Sequence, residues 1–214
     1  SFLNRKISKK FSFVNNIDLS LNKNNKNNQF NIIISKSGNT LETLANLNYQ
    51  KVKKNCLFIT ENKNSYLRNL ALKLKSEIIE HNNFIGGRYS VLSETGMIPA
   101  FFMGLEPNNF KRLDNLISSN KFINMLTYNV SSIFSFHQKK KNNSIILNYD
   151  ENSNNLFYWY QQLVAESLGK SSKGILPIVS PVPKDNHSVM QLYLDGFKKN
   201  FFTFFYVMDN DSKK

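Results

Sequence analysis

No disulfide can form within this chain, because it holds a single cysteine, Cys56. The run Asn55-Cys56-Leu57-Phe58-Ile59-Thr60 is mostly apolar, which predicts a thiol inside a strand rather than a reactive one. Histidine is limited to three residues, and no spacing of Cys and His suits a metal, so no metal site is expected. No uncharged apolar run reaches the roughly 18 residues that a membrane span requires. A basic-then-apolar leader is also missing from the opening residues. The expectation is a cytoplasmic protein with no membrane contact. Acidic residues are scarce as well: 15 Asp and Glu face 28 Lys and Arg, for a net charge of +13.

A basic balance is also how nucleic-acid binders look. Here the lysines alternate with asparagine, as in residues 21–29 and 139–143, without the interleaved aromatics of a single-strand binder. That pattern predicts a solvated surface and no nucleic-acid partner, although the charge can help draw in an anionic substrate. With 214 residues and 41% apolar composition, the chain can build a real core, in one large domain or two small ones.

Residues 30–34 contain three successive isoleucines between an Asn-rich loop and a Ser/Gly turn, the pattern of a buried strand. Leu41, Leu44, Ala45 and Leu47 then recur at helical spacing, with Asn39 or Thr40 as N-cap. A strand at 56–60, a helix at 66–75 and a strand at 77–80 follow. This rhythm predicts parallel pairing with helical crossovers, an open α/β sheet with ligands at the strand C-termini. After helical stretches at 96–105 and 109–136 the pattern restarts. It runs through a strand at 144–149, a helix at 152–168, an apolar run at 174–180, a helix at 188–194 and an aromatic strand at 201–207. Two α/β subdomains are therefore expected, 1–105 and 106–214.

Four short constellations can carry chemistry. Ser35-Lys36-Ser37-Gly38-Asn39-Thr40 leaves a strand and opens a helix, where unpaired N–H groups and hydroxyls suit a phosphate; an ordinary capped helix start has the same composition. Gly86-Gly87-Arg88 sets an arginine in a turn at the C-terminal side of the sheet, either for substrate charge or as a loop anchor. Glu166 falls in the last turn of a helix, with Gly169 as the residue that ends it. The helix dipole disfavours a carboxylate there and moves its pKa toward that of a general base. A solvent-exposed glutamate paired with Lys170 explains the same residues. Asp185-Asn186-His187-Ser188 stands ahead of a helix, with Asp185 orienting His187 or capping that helix. His81 and His137 read as surface residues without partners.

Taken in order, ISKSGNTLETLAN, FIGGRYSVLSETGMIPA, AESLGK and DNHSVMQLYLDG resemble the signature blocks of the glucose-6-phosphate isomerase family. The resemblance implies parts of two subdomains of the sugar-isomerase (SIS) type. It implies isomerisation between glucose 6-phosphate and fructose 6-phosphate through an enediol, without metal or organic cofactor, in a homodimer with a shared active site. By motif, Ser35, Lys36, Ser37 and Thr40 match the family's phosphate turn, and Arg88 matches the arginine that stabilises the enediolate. Glu166 matches the base that moves a proton between C2 and C1. His187 matches the residue that helps open the sugar ring and comes from across the dimer interface. Leu168 stands where the family usually has asparagine. The family's Gly-rich turn lies before this stretch, and its C-terminal catalytic lysine lies after it. A non-catalytic phosphosugar-binding SIS module is the alternative; it needs the phosphate turn without Arg88, Glu166 and His187. Mannose 6-phosphate stays open as a further substrate.

Overall fold

The computed structural model describes residues 11–17, 29–50 and 55–208. The Lys/Asn stretch at 21–28 and the terminal residues 209–214 lie outside the described residues. The chain forms two compact units, divided between Phe110 and Lys111.

In the first unit, strand β1 (Asn31–Ile34), helix α1 (Leu41–Gln50), β2 (Cys56–Glu61), α2 (Tyr66–Lys73) and β3 (Glu77–His81) alternate. The strands form a three-stranded parallel sheet in the order β1-β2-β3. Every residue of the central strand β2 is buried, as expected of a parallel strand covered on both faces, and this accounts for the apolar run at 56–59 ahead of its polar end. Ile33, Cys56 and Phe58 pack with Leu67 and Ala71 of α2 and Leu47 of α1. Cys56 is the buried thiol that its neighbours predict; burial pushes its pKa up, opposed by a hydrogen bond with Asn31. Helix α2 starts at Ser65, whose extended backbone (φ −154°, ψ 160°) lets its hydroxyl accept from Arg68 N. A 3₁₀ turn (Gly87–Leu92) and α3 (Glu94–Phe102) follow.

In the second unit, the short α4 (Asp114–Ile117) and long α5 (Asn120–Gln138) precede β4 (Asn143–Asn148). Then come α6 (Asn154–Leu168), β5 (Leu176–Pro181), α7 (Lys184–Ser188), α8 (Met190–Asp195) and β6 (Asn200–Phe205). The sheet order is β5-β4-β6, again all parallel. Central β4 is buried from Ser144 onward, and Ile145 and Leu147 cluster with Val182. No helix among the described residues is long and apolar enough to cross a membrane.

Two local expectations are corrected. The segment expected to lead into a helix at residue 188 is itself a short helix, α7, so Asp185 and His187 are helical residues. Gly169 ends α6, with φ −76°, and its N–H closes the last turn on Ala165 O at 2.8 Å. Neither Asn39 nor Thr40 caps α1 with its side chain. Asn39 Oδ1 accepts from Tyr66 N at 3.0 Å, and the Thr40 hydroxyl pairs with that of Ser35 at 2.8 Å. Tertiary partners claim both groups.

Candidate active-site elements

The first unit's sheet ends in a row of polar residues. Register places Glu61 beside His81 at the C-terminal ends of β2 and β3. The ladder runs one step past β1, with Ser35 N bonded to Ile59 O and Glu61 N to Lys36 O, both at 3.1 Å. Ser35, Lys36, Glu61 and His81 therefore share the edge where open α/β sheets hold their ligands.

The turn between β1 and α1 is tied from within and from α2. Ser35 is buried, and its hydroxyl accepts from Gly38 N at 3.1 Å while pairing with Thr40. Gly38 has φ +67°, and a Cβ built on it would lie 2.6 Å from Ser65 Cβ; both the backbone angle and the close approach demand glycine. Gly38 O accepts from Leu67 N at 3.0 Å, which fastens the turn to α2. Ser37 and Thr40 are exposed at the mouth of the turn. The opening N–H groups of α1, which a helix cannot pair within itself, lie immediately beyond.

Lys36 does not reach toward the solvent in front of that turn. Its ammonium bonds Ile85 O at 2.7 Å and Asn83 O at 3.3 Å, and pairs with Glu61 Oε1 at 3.3 Å. Glu61 is 5% exposed and also meets Lys63. The hydrogen bond from Lys63 holds the Glu61 carboxyl below the ordinary range; burial opposes this, and Lys36 adds to it. The lysine of the phosphate-type turn thus tethers a loop, and only its backbone N–H remains for an anion.

That loop leads to Arg88. The residue lies in the 3₁₀ turn, half-buried, with its guanidinium carbon 4.8 Å from the centre of the Tyr89 ring. The turn rests on α3 at Gly96, where a Cβ would lie 2.8 Å from the Val91 carbonyl carbon.

Sequence reasoning misplaced His81. It is 2% exposed rather than superficial; its Nδ1 meets the Glu94 carboxylate, and its Nε2 lies 3.1 Å from Ile85 O. Burial raises the Glu94 carboxyl, but hydrogen bonds from its own backbone N–H, from Asn82 N and from His81 outweigh it and leave the pKa lowered. The signal available in sequence was the position of His81 at the C-terminal end of β3, the edge where the sheet gathers its polar groups. His137 is half-buried and also partnered, with Asn142 Oδ1 2.7 Å from its Nδ1.

In the second unit Glu166 is exposed in the last turn of α6 and accepts from Gln162 Nε2 at 2.8 Å. His187 is exposed on α7. Asp185 is turned elsewhere: its two carboxylate oxygens accept from the hydroxyls of Ser180, at 2.7 Å, and Ser188, at 3.2 Å. The topology separates Glu166 from His187. Helix α6 returns from the C-terminal end of β4 to the start of β5, and Gln161 Nε2 bonds Pro177 O, in the second residue of that strand, at 2.7 Å. Glu166, five residues further along α6, therefore stands at the N-terminal edge of the sheet. His187 follows the C-terminal end of β5, at the opposite edge, with a six-residue strand of about 17–20 Å between them.

No family model matches the chain. A glucose-6-phosphate isomerase of Methanocaldococcus jannaschii is 35% identical over 190 residues, which cover 80% of this chain and 46% of that protein. Among solved structures, a hypothetical protein from Thermus thermophilus matches with a TM-score of 0.71 at 24% identity, over 87% of this chain and 49% of that one. A glucose-6-phosphate isomerase from Chlamydia trachomatis matches with a TM-score of 0.61 at 19% identity, over 81% of this chain and 38% of that one. These two share the fold. The chain spans about half the length of the curated relatives it matches, and over that half it belongs to the glucose-6-phosphate isomerase family.

Proposed function

We propose that the full-length protein interconverts glucose 6-phosphate and fructose 6-phosphate through an enediol, in the cytoplasm, as a homodimer whose active sites are shared and which engages no nucleic acid. The observation that carries this reading is the Ser35–Thr40 turn. It combines a sheet C-terminal edge, exposed hydroxyls on Ser37 and Thr40 and a helix N-terminus, all held rigid by Ser35, Gly38 and α2. Such a turn takes a phosphate without needing a lysine side chain.

Each residue has a role that its chemistry suits. Phosphate binding at the turn supplies remote binding energy that holds the reacting carbons in place. Glu166 takes the proton from C2 of the open-chain aldose and returns it to C1 of the ketose. Electrons from the C2–H bond form the C1–C2 double bond while the C1 carbonyl oxygen takes the negative charge of an enediolate. The proton of the C2 hydroxyl passes to that oxygen, and the C2–O bond becomes the ketone carbonyl as Glu166 protonates C1. Arg88 offsets the negative charge that develops on the C1 oxygen. His187 moves a proton during ring opening. The opposite-edge positions of Glu166 and His187 within one sheet favour a site completed by the partner subunit, because one sugar phosphate cannot span both edges. The acid-base set argues against a binding module, which would need the turn alone.

The test is to assay the full-length protein for conversion of glucose 6-phosphate and for exchange of the substrate C2 hydrogen with solvent. The wild type should do both. Glu166→Gln should lower exchange by about 10²- to 10⁴-fold while a bound sugar phosphate is still detected by calorimetry. Exchange at the wild-type rate in that variant rejects Glu166 as the base.

A further inference from the structure

His81 and Glu94 form a buried pair that the reaction scheme above does not use. Their position points to a task. Residues 82–93 form the segment that leaves β3, carries Arg88 in its middle and enters α3. Its two ends are joined by Glu94, whose carboxylate meets His81 Nδ1 and also accepts from Asn82 N at 3.1 Å. The other ring nitrogen of His81 reaches into the same segment and lies 3.1 Å from Ile85 O, three residues before Arg88. Lys36 Nζ lies 2.7 Å from that same carbonyl.

Beyond Ile85 the segment is stapled again. Tyr89 N bonds Gly86 O at 2.9 Å, the Ser90 hydroxyl bonds Gly87 O at 2.6 Å, and the Thr95 hydroxyl bonds Ser90 O at 2.6 Å. Gly86 and Gly87 bring no side chains of their own, so the course of the backbone that presents Arg88 to the Tyr89 ring depends on these flanking bonds.

We propose that His81 is a positioning residue: by bridging the Glu94 carboxylate and the Ile85 carbonyl, it clasps the segment that carries Arg88 and fixes where the guanidinium meets developing charge. This rests on the role given to Arg88 under the proposed function.

The chemistry of the imidazole suits the task. Both of its partners, a carboxylate and a carbonyl, only accept hydrogen bonds, so the site is fully paired when each ring nitrogen carries a proton. The link to Glu94 is then charge-assisted. The ring is 2% exposed, and a partner left unpaired at that depth regains little from water. The charged groups around it are Glu94 on α3 and, across the shared carbonyl, Lys36 with its own partner Glu61. Because Lys36 belongs to the phosphate turn, the same carbonyl also links that turn to the Arg88 segment.

A double-mutant cycle in the full-length protein tests the inference. His81→Gln keeps polarity but cannot present two ring donors in opposed directions. Its kcat should fall by about 10- to 100-fold, the scale of a small misplacement near the chemistry. Inhibition by inorganic phosphate, which reports the turn, should change by less than about 2-fold. In an Arg88→Ala background, the same substitution should lower the residual rate by less than about 2-fold, because a residue that acts only through Arg88 has nothing left to position. Equal losses in both backgrounds would overturn the inference and leave the role of Arg88 standing. Wild-type kcat in Arg88→Ala alone would overturn both. If His81→Gln does not fold, Glu94→Gln takes its place in the cycle and should show the same non-additive loss in kcat with unchanged phosphate inhibition; wild-type kcat in Glu94→Gln would overturn the clasp.

Discussion

The two units treat their functional residues in opposite ways. In the first, every candidate is woven into its surroundings: Ser35 is buried and doubly bonded, Lys36 has three oxygen partners, and the Arg88 segment is stapled at both ends. In the second, Glu166 and His187 are exposed on helices at opposite edges of one sheet. The difference fits a division of labour. Groups that bind phosphate and receive charge gain from being held before substrate arrives. On the roles proposed above, the groups that move protons would complete a site that a single second unit does not assemble.

The largest effect that could break this comparison comes from mixing mutants. Full-length Glu166→Gln and His187→Ala homodimers should each be nearly inactive. Co-refolded in equal amounts, about half of the dimers should be mixed, each with one intact site and one doubly deficient site, so roughly a quarter of wild-type activity should return. No recovery with mixed dimers confirmed would place both residues in their own subunit's site and erase the contrast between the units.

Next in size is the effect on binding. Ser37 and Thr40 are exposed, but replacing both with alanine also removes the hydroxyl that pairs with Ser35, so circular dichroism first checks that the fold is kept. Affinity for a sugar phosphate should fall by about 10²- to 10⁴-fold, given about 1.5–3 kcal/mol for each of the two hydrogen bonds to a charged group. Calorimetry reads this directly, and unchanged affinity would remove the phosphate from the turn.

Gly38→Ala probes rigidity in the first unit. A side chain at φ +67° that also crowds Ser65 should cost about 1–3 kcal/mol, visible as a lowered denaturation midpoint. A neutral result would mean that the turn gives way more easily than its bonds imply.

The smallest effect is one of pH. The folded pKa values of Glu61 and Glu94 are lowered, so their contribution to stability is complete above the ordinary glutamate value of about 4.3 and is lost as pH falls through the lowered values. Glu61→Gln should flatten the acid limb of a stability profile followed by urea denaturation. An unchanged limb would mean that the Lys36–Glu61–Lys63 group holds the first unit less firmly than its geometry suggests.

Much of the fold was legible because strands buried on both faces need unbroken apolar runs. The apolar stretches within 56–60 and 144–149 announce the buried strands β2 and β4, and the three isoleucines of 32–34 announce the partly buried β1. The phosphate-type turn was legible too, since Gly38 and its hydroxyl neighbours form a local pattern. Where sequence reasoning failed, the partner lay outside the helix or strand pattern from which the residue was read. His81 read as superficial because Glu94 lies 13 positions away. Asn39 and Thr40 read as helix caps because Tyr66 and Ser35, which claim them, are not their neighbours in the helix. Asp185 read either as the orienting partner of His187 or as a helix cap, whereas its carboxylate accepts from the hydroxyls of Ser180 and Ser188.

The sequence by itself therefore determined the order of strands and helices, the buried state of Cys56 and the place of the phosphate-type turn, because each follows from short-range periodicity, composition or backbone permissiveness. Only the tertiary structure decided what the charged groups do. It aimed Lys36 at Ile85 and Glu61 rather than at the mouth of the turn, buried His81 against Glu94 and put Glu166 and His187 at opposite sheet edges. Hydrogen bonds and ion pairs act over a few ångströms in space, and parallel crossovers bring together, or hold apart, residues whose separation along the chain says nothing of that distance.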